Sequence, residues 1–170
     1  MLFRSLFPQL RERDLTLDAE SFARLDPAVS NVFITENEIN FLALPDVPNS
    51  LAVFGAGYGF DQIANVAWLS RCRVFYWGDI DTHGFAILNQ LRASVPHAES
   101  FLMDRETLLA FSAQWGTEEQ PALSELPRLN AREQSLFDDL RNNAIVNNLR
   151  LEQERIGFRY VQAALAALVC

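Results

Sequence analysis

The chain has 170 residues, 22 acidic against 14 basic, for a formal net charge of −8. With 49% apolar residues it is long enough for one packed domain, which excludes a disordered chain, and the acidic balance excludes nucleic-acid binding through bulk charge. All 14 basic residues are arginine, so a Schiff-base lysine and the lysine-bearing phosphate loop of common NTPases are excluded too.

In chain order, residues 15–26 read as a short amphipathic helix with Leu15, Leu17, Phe22 and Leu25 as its apolar positions. Residues 1–30 are accordingly assigned to an N-terminal helical segment or linker, and residues 31–170 to one domain ending in helices. Residues 31–35 (Asn-Val-Phe-Ile-Thr) are a short β-rich run, residues 51–54 a second ended by Gly55, and residues 73–77 a third ended by Gly78. Residues 99–103 are a weaker fourth. Between them, residues 37–43, 60–70 and 84–93 carry helical spacing, with Ile63, Ala67 and Trp68 in the second and Phe85, Leu88 and Leu91 in the third. Residues 114–130, with Pro121 and Pro127, read as a loop. Helices are predicted over 131–142 and 149–168, the last packing Ile156, Val161, Leu165 and Leu168 onto the domain. Strands without clean alternation, separated by helices, predict an α/β fold: a parallel sheet of about four strands flanked by helices, with the strand C-terminal ends along one edge.

Cys72 and Cys170 have no partner pattern, and His83 and His97 are the only histidines, which argues against a disulfide framework, a zinc site or a histidine-rich metal site. The start of the chain lacks the apolar run of a signal peptide, and the apolar tail from Val161 to Val169 is too short to span a bilayer. A cytoplasmic location with no membrane partner is the expectation.

Three carboxylates stand at strand ends. Glu36 follows the first strand; Asp79 and Asp81 follow the third, in Gly78-Asp79-Ile80-Asp81-Thr82-His83-Gly84. In extended chain an i, i+2 spacing points both aspartates to one side, and if the first and third strands are neighbours Glu36 faces the same pocket. Clustered carboxylates repel and need a cation; all-oxygen ligands favour a hard ion, Mg²⁺ or Mn²⁺. The competing reading makes Asp79 and Asp81 a turn and helix cap before residues 84–93. Glu36 at a matching strand end weighs against it. Residues 55–60 (Gly-Ala-Gly-Tyr-Gly-Phe) suggest a dinucleotide loop, but Phe60 stands where its last glycine belongs, so they read as a tight strand-to-helix turn.

Thr35-Glu36-Asn37-Glu38 after one strand, with Trp77-Gly78-Asp79-Ile80-Asp81-Thr82-His83-Gly84-Phe85 after a later one, resembles the Toprim domain of topoisomerases, primases and some nucleases, in the branch of type IIB topoisomerase A subunits. Further stretches (Phe54-Gly55-Ala56-Gly57, Leu102-Met103-Asp104 and Arg150-Leu151-Glu152-Gln153-Glu154) resemble the C-terminal domain of the JetD family, the nuclease subunits of Wadjet plasmid-defence systems. The resemblance spans roughly residues 31–157. It implies a Mg²⁺- or Mn²⁺-dependent endonuclease acting on DNA beside an SMC (condensin-like) complex. It carries over Glu36, Asp79 and Asp81 as the catalytic and metal-binding set, with Glu152, Glu154 and His83 as candidates for a second metal or for support. On a helix Glu152 and Glu154 do not share a face, and a Glu152–Arg155 pair on a solvated helix is the plainer reading. Arg105, Arg155 and Arg159 are candidates for phosphate contact or simple helix decoration.

The family's N-terminal arm and DNA-binding region have no counterpart here, so the chain reads as a fragment or a short relative whose activity in isolation is expected to be weak or absent. Tyr58, Tyr76 and Tyr160 read as packing residues, so strand transfer through a phosphotyrosine is not expected, and hydrolysis by metal-activated water fits better. A non-catalytic metal-binding or interaction module is the alternative. The apolar face of the last helix suits a homodimer and an ordinary core contact equally.

Overall fold

The computed structural model describes residues 2–5, 14–55, 63 and 66–169. Five of the segments read as structured form as expected: strands β3 (Asn31–Thr35), β4 (Ser50–Phe54) and β5 (Arg73–Trp77), and helices α2 (Glu38–Ala43) and α3 (Thr82–Ser94). β3 is flanked by β4 on one side and β5 on the other, both parallel to it, and the short β6 (Glu99–Ser100) extends the parallel set beyond β5. Every residue of β3 is buried, so both faces of the sheet are covered, which is why its sequence shows no alternation. The α/β architecture is therefore a four-strand parallel sheet flanked by six helices among the described residues, consistent with a Rossmann/Toprim-like fold.

The described part of the first thirty residues departs from the helix expected over 15–26. Strands β1 (Leu2–Ser5) and β2 (Asp14–Thr16) form an antiparallel pair, and β1 lies antiparallel against β4, making a six-stranded sheet. The helix α1 covers only Ala19–Ala23, because Asp18 caps it by accepting the Ser21 N–H. Phe22 on α1 is fully buried, against the Trp68 ring at 5.3 Å. In the predicted helix over 60–70 the described portion holds a 3₁₀ turn at Ala67–Arg71; most of the rest lies outside the described residues.

α5 (Ala131–Arg141) packs on α3 through Phe85 and Phe137, whose rings meet edge-on at 6.4 Å. The predicted helix over 149–168 is instead three pieces. Strand β8 (Leu149–Arg150) pairs with β7 (Gly116–Thr117), a 3₁₀ turn follows at Gln153–Arg155, and the last helix, α6, covers Phe158–Val169. Pairing of residues 149–151 with distant backbone overrides their helical pattern; Ile156, Val161 and Leu165 nevertheless bury as expected. Between β6 and α5, helix α4 spans Arg105–Ala110. Among the described residues no helix is long and apolar enough to cross a membrane.

One buried ion pair ties these layers together. The Glu133 carboxylate, 4% exposed, accepts from Arg92 at 2.5 and 2.9 Å, from the Ser100 hydroxyl at 2.7 Å and from the Asn130 N–H at 2.9 Å. It thus joins α3, β6 and the start of α5. Burial alone would raise its pKa, but the Arg92, Asn130 and Ser100 donors outweigh burial and hold it below the usual value. Removing one partner of such a pair leaves an uncompensated buried charge. Glu133→Ala is expected to lower stability by about 3–5 kcal/mol in urea unfolding; a loss under about 1 kcal/mol, the range of an exposed pair, overturns this account.

Candidate metal centre

The register of the sheet brings the strand ends level. Thr35 pairs with Phe54 of β4 and with Trp77 of β5, so the next residues, Glu36, Gly55 and Gly78, emerge together at the C-terminal edge. The chain leaves β3 for β4 on one side and later reaches β5 on the other, so Glu36 and Asp79 flank the point where strand order reverses, the usual site position in open α/β sheets. The predicted neighbourhood of the first and third strands is thereby realised.

After β5 the chain stays extended. Ile80 exchanges both backbone hydrogen bonds with Leu151, at 2.9 and 3.1 Å. Ile80 and Leu151 are fully buried, so their flanking residues point the other way: Asp79 and Asp81 from one segment, Arg150 and Glu152 from the other. The Arg150 guanidinium reaches both aspartates, with Nη2 2.5 Å from Asp79 Oδ2 and Nε 3.3 Å from Asp81 Oδ2. The remaining oxygens take backbone donors. Asp79 Oδ1 accepts the Gln153 N–H at 2.9 Å, and Asp81 Oδ1 accepts the Gly84 N–H at 2.7 Å. Asp81 is thus the N-cap of α3, as the competing reading had it, while still presenting its other oxygen to the cluster. Asp79 caps nothing.

Two glycines make this geometry possible. A Cβ on Gly84 would stand 2.1 Å from the Asp79 carbonyl oxygen, so the first turn of α3 closes onto the loop only without a side chain. A Cβ on Gly78 would stand 2.4 Å from the Tyr76 hydroxyl. Tyr76 is buried in β5 as a packing residue, as expected, and its phenol lies beside Glu36.

Burial pushes the Glu36 carboxyl from its ordinary 4.5 up to about 7; the Tyr76 hydroxyl opposes the shift, and the charges of Asp79 and Asp81 add to it. Burial likewise pushes Asp81 up to about 6, opposed by the Gly84 N–H and by Arg150 and reinforced by Glu118 and Asp79. Glu36 therefore feels the charge of Asp79 and Asp81, and Glu36 Oε1 is buried with no hydrogen-bond partner among the described residues.

The supporting candidates fall close by, though not as helix neighbours. Glu152 lies in extended chain and pairs with Arg155 at 2.6 Å, the pairing the plainer reading expects, and is 3.8 Å from Arg150. Glu154, in the 3₁₀ turn, accepts from Asn37 Nδ2 at 2.5 Å, and Gln153 Oε1 accepts from the Thr35 hydroxyl at 2.6 Å. These contacts dock the 153–155 turn onto the end of β3. His83 turns to Glu118, with Nδ1 2.6 Å from Oε1, an acceptor that places the ring proton on Nδ1. Glu118, itself 3% exposed, also accepts from Thr82 and His83 N–H groups at the start of α3. Arg105 is engaged with Asp139. Arg150 and Glu118 are the residues that sequence reasoning missed. Arg150 stands in the quoted Arg-Leu-Glu motif, two positions before Glu152, the spacing that signals a shared side in extended chain. Glu118 lies in a polar stretch read as loop and carries no local signal. Tyr58 and residues 56–60 of the glycine-rich run, like Cys170, lie outside the described residues.

In kind, this donor set fits a hard divalent cation: three carboxylates at one edge, raised protonation and a buried carboxylate oxygen without a partner. As the side chains stand, no group of three or more metal-ligating residues converges among the described residues, and Arg150 holds both aspartates.

An α/β domain with acidic residues at the switch point of a parallel sheet is the class that fold and site define. The family model for the Wadjet protein JetD, C-terminal, matches residues 1–165, and the chain belongs to that family. No curated protein matches it.

Glu36 and Asp81 bind protons more tightly folded than unfolded, so between about pH 4 and 7 the folded chain holds the extra protons and its stability falls as pH rises. Without metal, Glu36→Gln is expected to melt above wild type at about pH 7.5, with the gap closing toward about pH 4.5. A gap that does not change with pH in thermal melts overturns this account of Glu36.

Proposed function

We propose that the chain is a metal-dependent endonuclease domain that hydrolyses DNA phosphodiesters, serving as the nuclease part of a Wadjet-type anti-plasmid system beside its SMC subunits. The observation that carries this reading is that Glu36, from the end of β3, and Asp79 and Asp81, from the loop after β5, stand at the switch point of the sheet near enough for the aspartate charges to act on Glu36. Membership of the JetD family supports it.

Glu36, Asp79 and Asp81 would hold Mg²⁺ or Mn²⁺, with Glu152 and Glu154 at the margin. Bound there, the ion would supply Lewis-acid stabilisation of phosphate oxygens and a more acidic attacking water. The protein's own part is to present and orient. The α3 N-terminus fixes Asp81 through the Gly84 N–H, the 153–155 turn fixes Asp79 through the Gln153 N–H, and the Tyr76 phenol stands beside Glu36 and favours its charged form. Each aspartate thereby keeps one defined direction before any ligand arrives, which lowers the cost of organising it.

A second reading, a non-catalytic module that uses the acidic edge for assembly, is favoured by one observation: Arg150 pairs with both aspartates without metal. Calorimetric titration of Mn²⁺ and nicking of supercoiled plasmid separate the two. Wild type is expected to bind Mn²⁺ and nick, while Asp81→Ala and Glu36→Ala lose binding by at least about tenfold and nick no longer. If wild type binds Mn²⁺ but neither it nor its assembled complex nicks, the second reading replaces the first. If wild type binds no Mn²⁺, the metal reading falls.

A further inference from the structure

The cation in the described site is a side chain. Arg150 Nη2 and Nε each lie against a different aspartate, and the guanidinium is one-third exposed, at the surface of the cluster and not sealed in the core. Arg150 arrives on β8, whose pairing with β7 and whose Ile80–Leu151 bridge fix its backbone opposite the aspartates. Its position is thus set by main-chain hydrogen bonds that do not depend on the carboxylates. The side chain alone is free to change partners. A third carboxylate stands within reach: Glu152 Oε1 is 3.8 Å from Arg150 Nη2.

Asp79 Oδ2 and Asp81 Oδ2 are the oxygens that face Arg150, and the other two accept backbone N–H groups that hold the loop in shape. A divalent ion on the two Oδ2 atoms would stand against the positive guanidinium at close range, and like charges there repel. A metal drawing on both aspartates therefore favours a guanidinium that has moved away, or else a disturbed loop. Displacing one side chain is the smaller change. By linkage, if metal expels Arg150, then Arg150 weakens the metal by the same factor.

We propose that Arg150 is a gate on the metal centre: its guanidinium holds Asp79 and Asp81 in the metal-free state and withdraws toward Glu152 when a divalent ion binds, so that it sets the metal affinity. This rests on the metal reading above. It adds that the family's acidic site is, in this chain, a two-state site with an internal competitor. Loss of Arg150 has opposite consequences under a gating and a merely structural role. A gate lowers metal-free stability and tightens metal; a structural strut lowers both stability and metal affinity.

The test is Mn²⁺ titration by calorimetry, with melting temperatures taken with and without Mn²⁺, on the full chain as wild type, Arg150→Ala and Arg150→Lys. Arg150→Ala is expected to melt lower without metal, to bind Mn²⁺ about tenfold tighter, and to gain more melting temperature from Mn²⁺ than wild type does. Arg150→Lys is expected between the two, because a point-charge ammonium does not span two carboxylates as a planar fork does. It also decides the matter should Arg150→Ala not fold. Adding Asp81→Ala to either variant is expected to abolish the gain, placing the ion at this cluster. If wild type binds Mn²⁺ and the folded Arg150 variants bind it equally or more weakly, the gate is overturned while the metal centre stands. Binding by the variants but not by wild type supports the gate in its strongest form. If no form binds Mn²⁺, the metal centre and the gate fall together.

Discussion

Crowding of like charge at one sheet edge is the constraint around which this molecule is arranged. A parallel sheet delivers all its strand ends to the same side, and here that side receives Glu36, Asp79 and Asp81. Burial raises the cost of charge on Glu36 and Asp81, and the Asp79 charge adds to it for both. The surrounding structure supplies the answers: a phenol from β5 for Glu36, helix and turn N–H groups for the aspartates, and one guanidinium from β8 between them. The small β7–β8 ladder and the docked 153–155 turn look peripheral as architecture. Their contacts place them within the electrostatics of the edge.

The two partly or fully buried arginine sites make an instructive contrast. At Glu133 one carboxylate meets one guanidinium, and every oxygen is further satisfied by Ser100 and Asn130, so burial costs are offset and the group stays charged. At Arg150 one guanidinium faces two aspartates directly, with Glu36 and Glu152 near, so negative charge remains in excess. The first arrangement is complete in itself. The second is not.

What the sequence made legible follows the range of the forces involved. β3, β4, β5 and α3 are announced by runs of five to thirteen residues whose burial is decided locally, and Glu36, Asp79 and Asp81 stand at their ends. Residues 2–5 and 14–16 join the sheet through backbone pairing with β4 and with each other, which no local period reveals. Residues 149–157 look helical in composition, yet Leu149 to Leu151 are claimed by β7 and Ile80, and Gly157 stands just before the true helix start. That one misreading hid the site's geometry: helical spacing sets Glu152 and Glu154 apart, whereas the extended segment sets Arg150 and Glu152 side by side. Arg150 as partner of Asp79 becomes visible only once the Ile80–Leu151 bridge is known.

The Ile80–Leu151 bridge also has a consequence in time. The acidic groups belong to the first half of the chain, whereas Arg150 and the Gln153 N–H that temper them come some seventy residues after Asp79. On a growing polypeptide the sheet edge is complete before its counter-charge has been made. Until the later segment emerges and closes that long loop, the edge has only the Gly84 N–H, the Tyr76 phenol and ambient cations to relieve its repulsion. The ionic composition of the medium thus enters this protein's history at its synthesis, ahead of any encounter with a substrate.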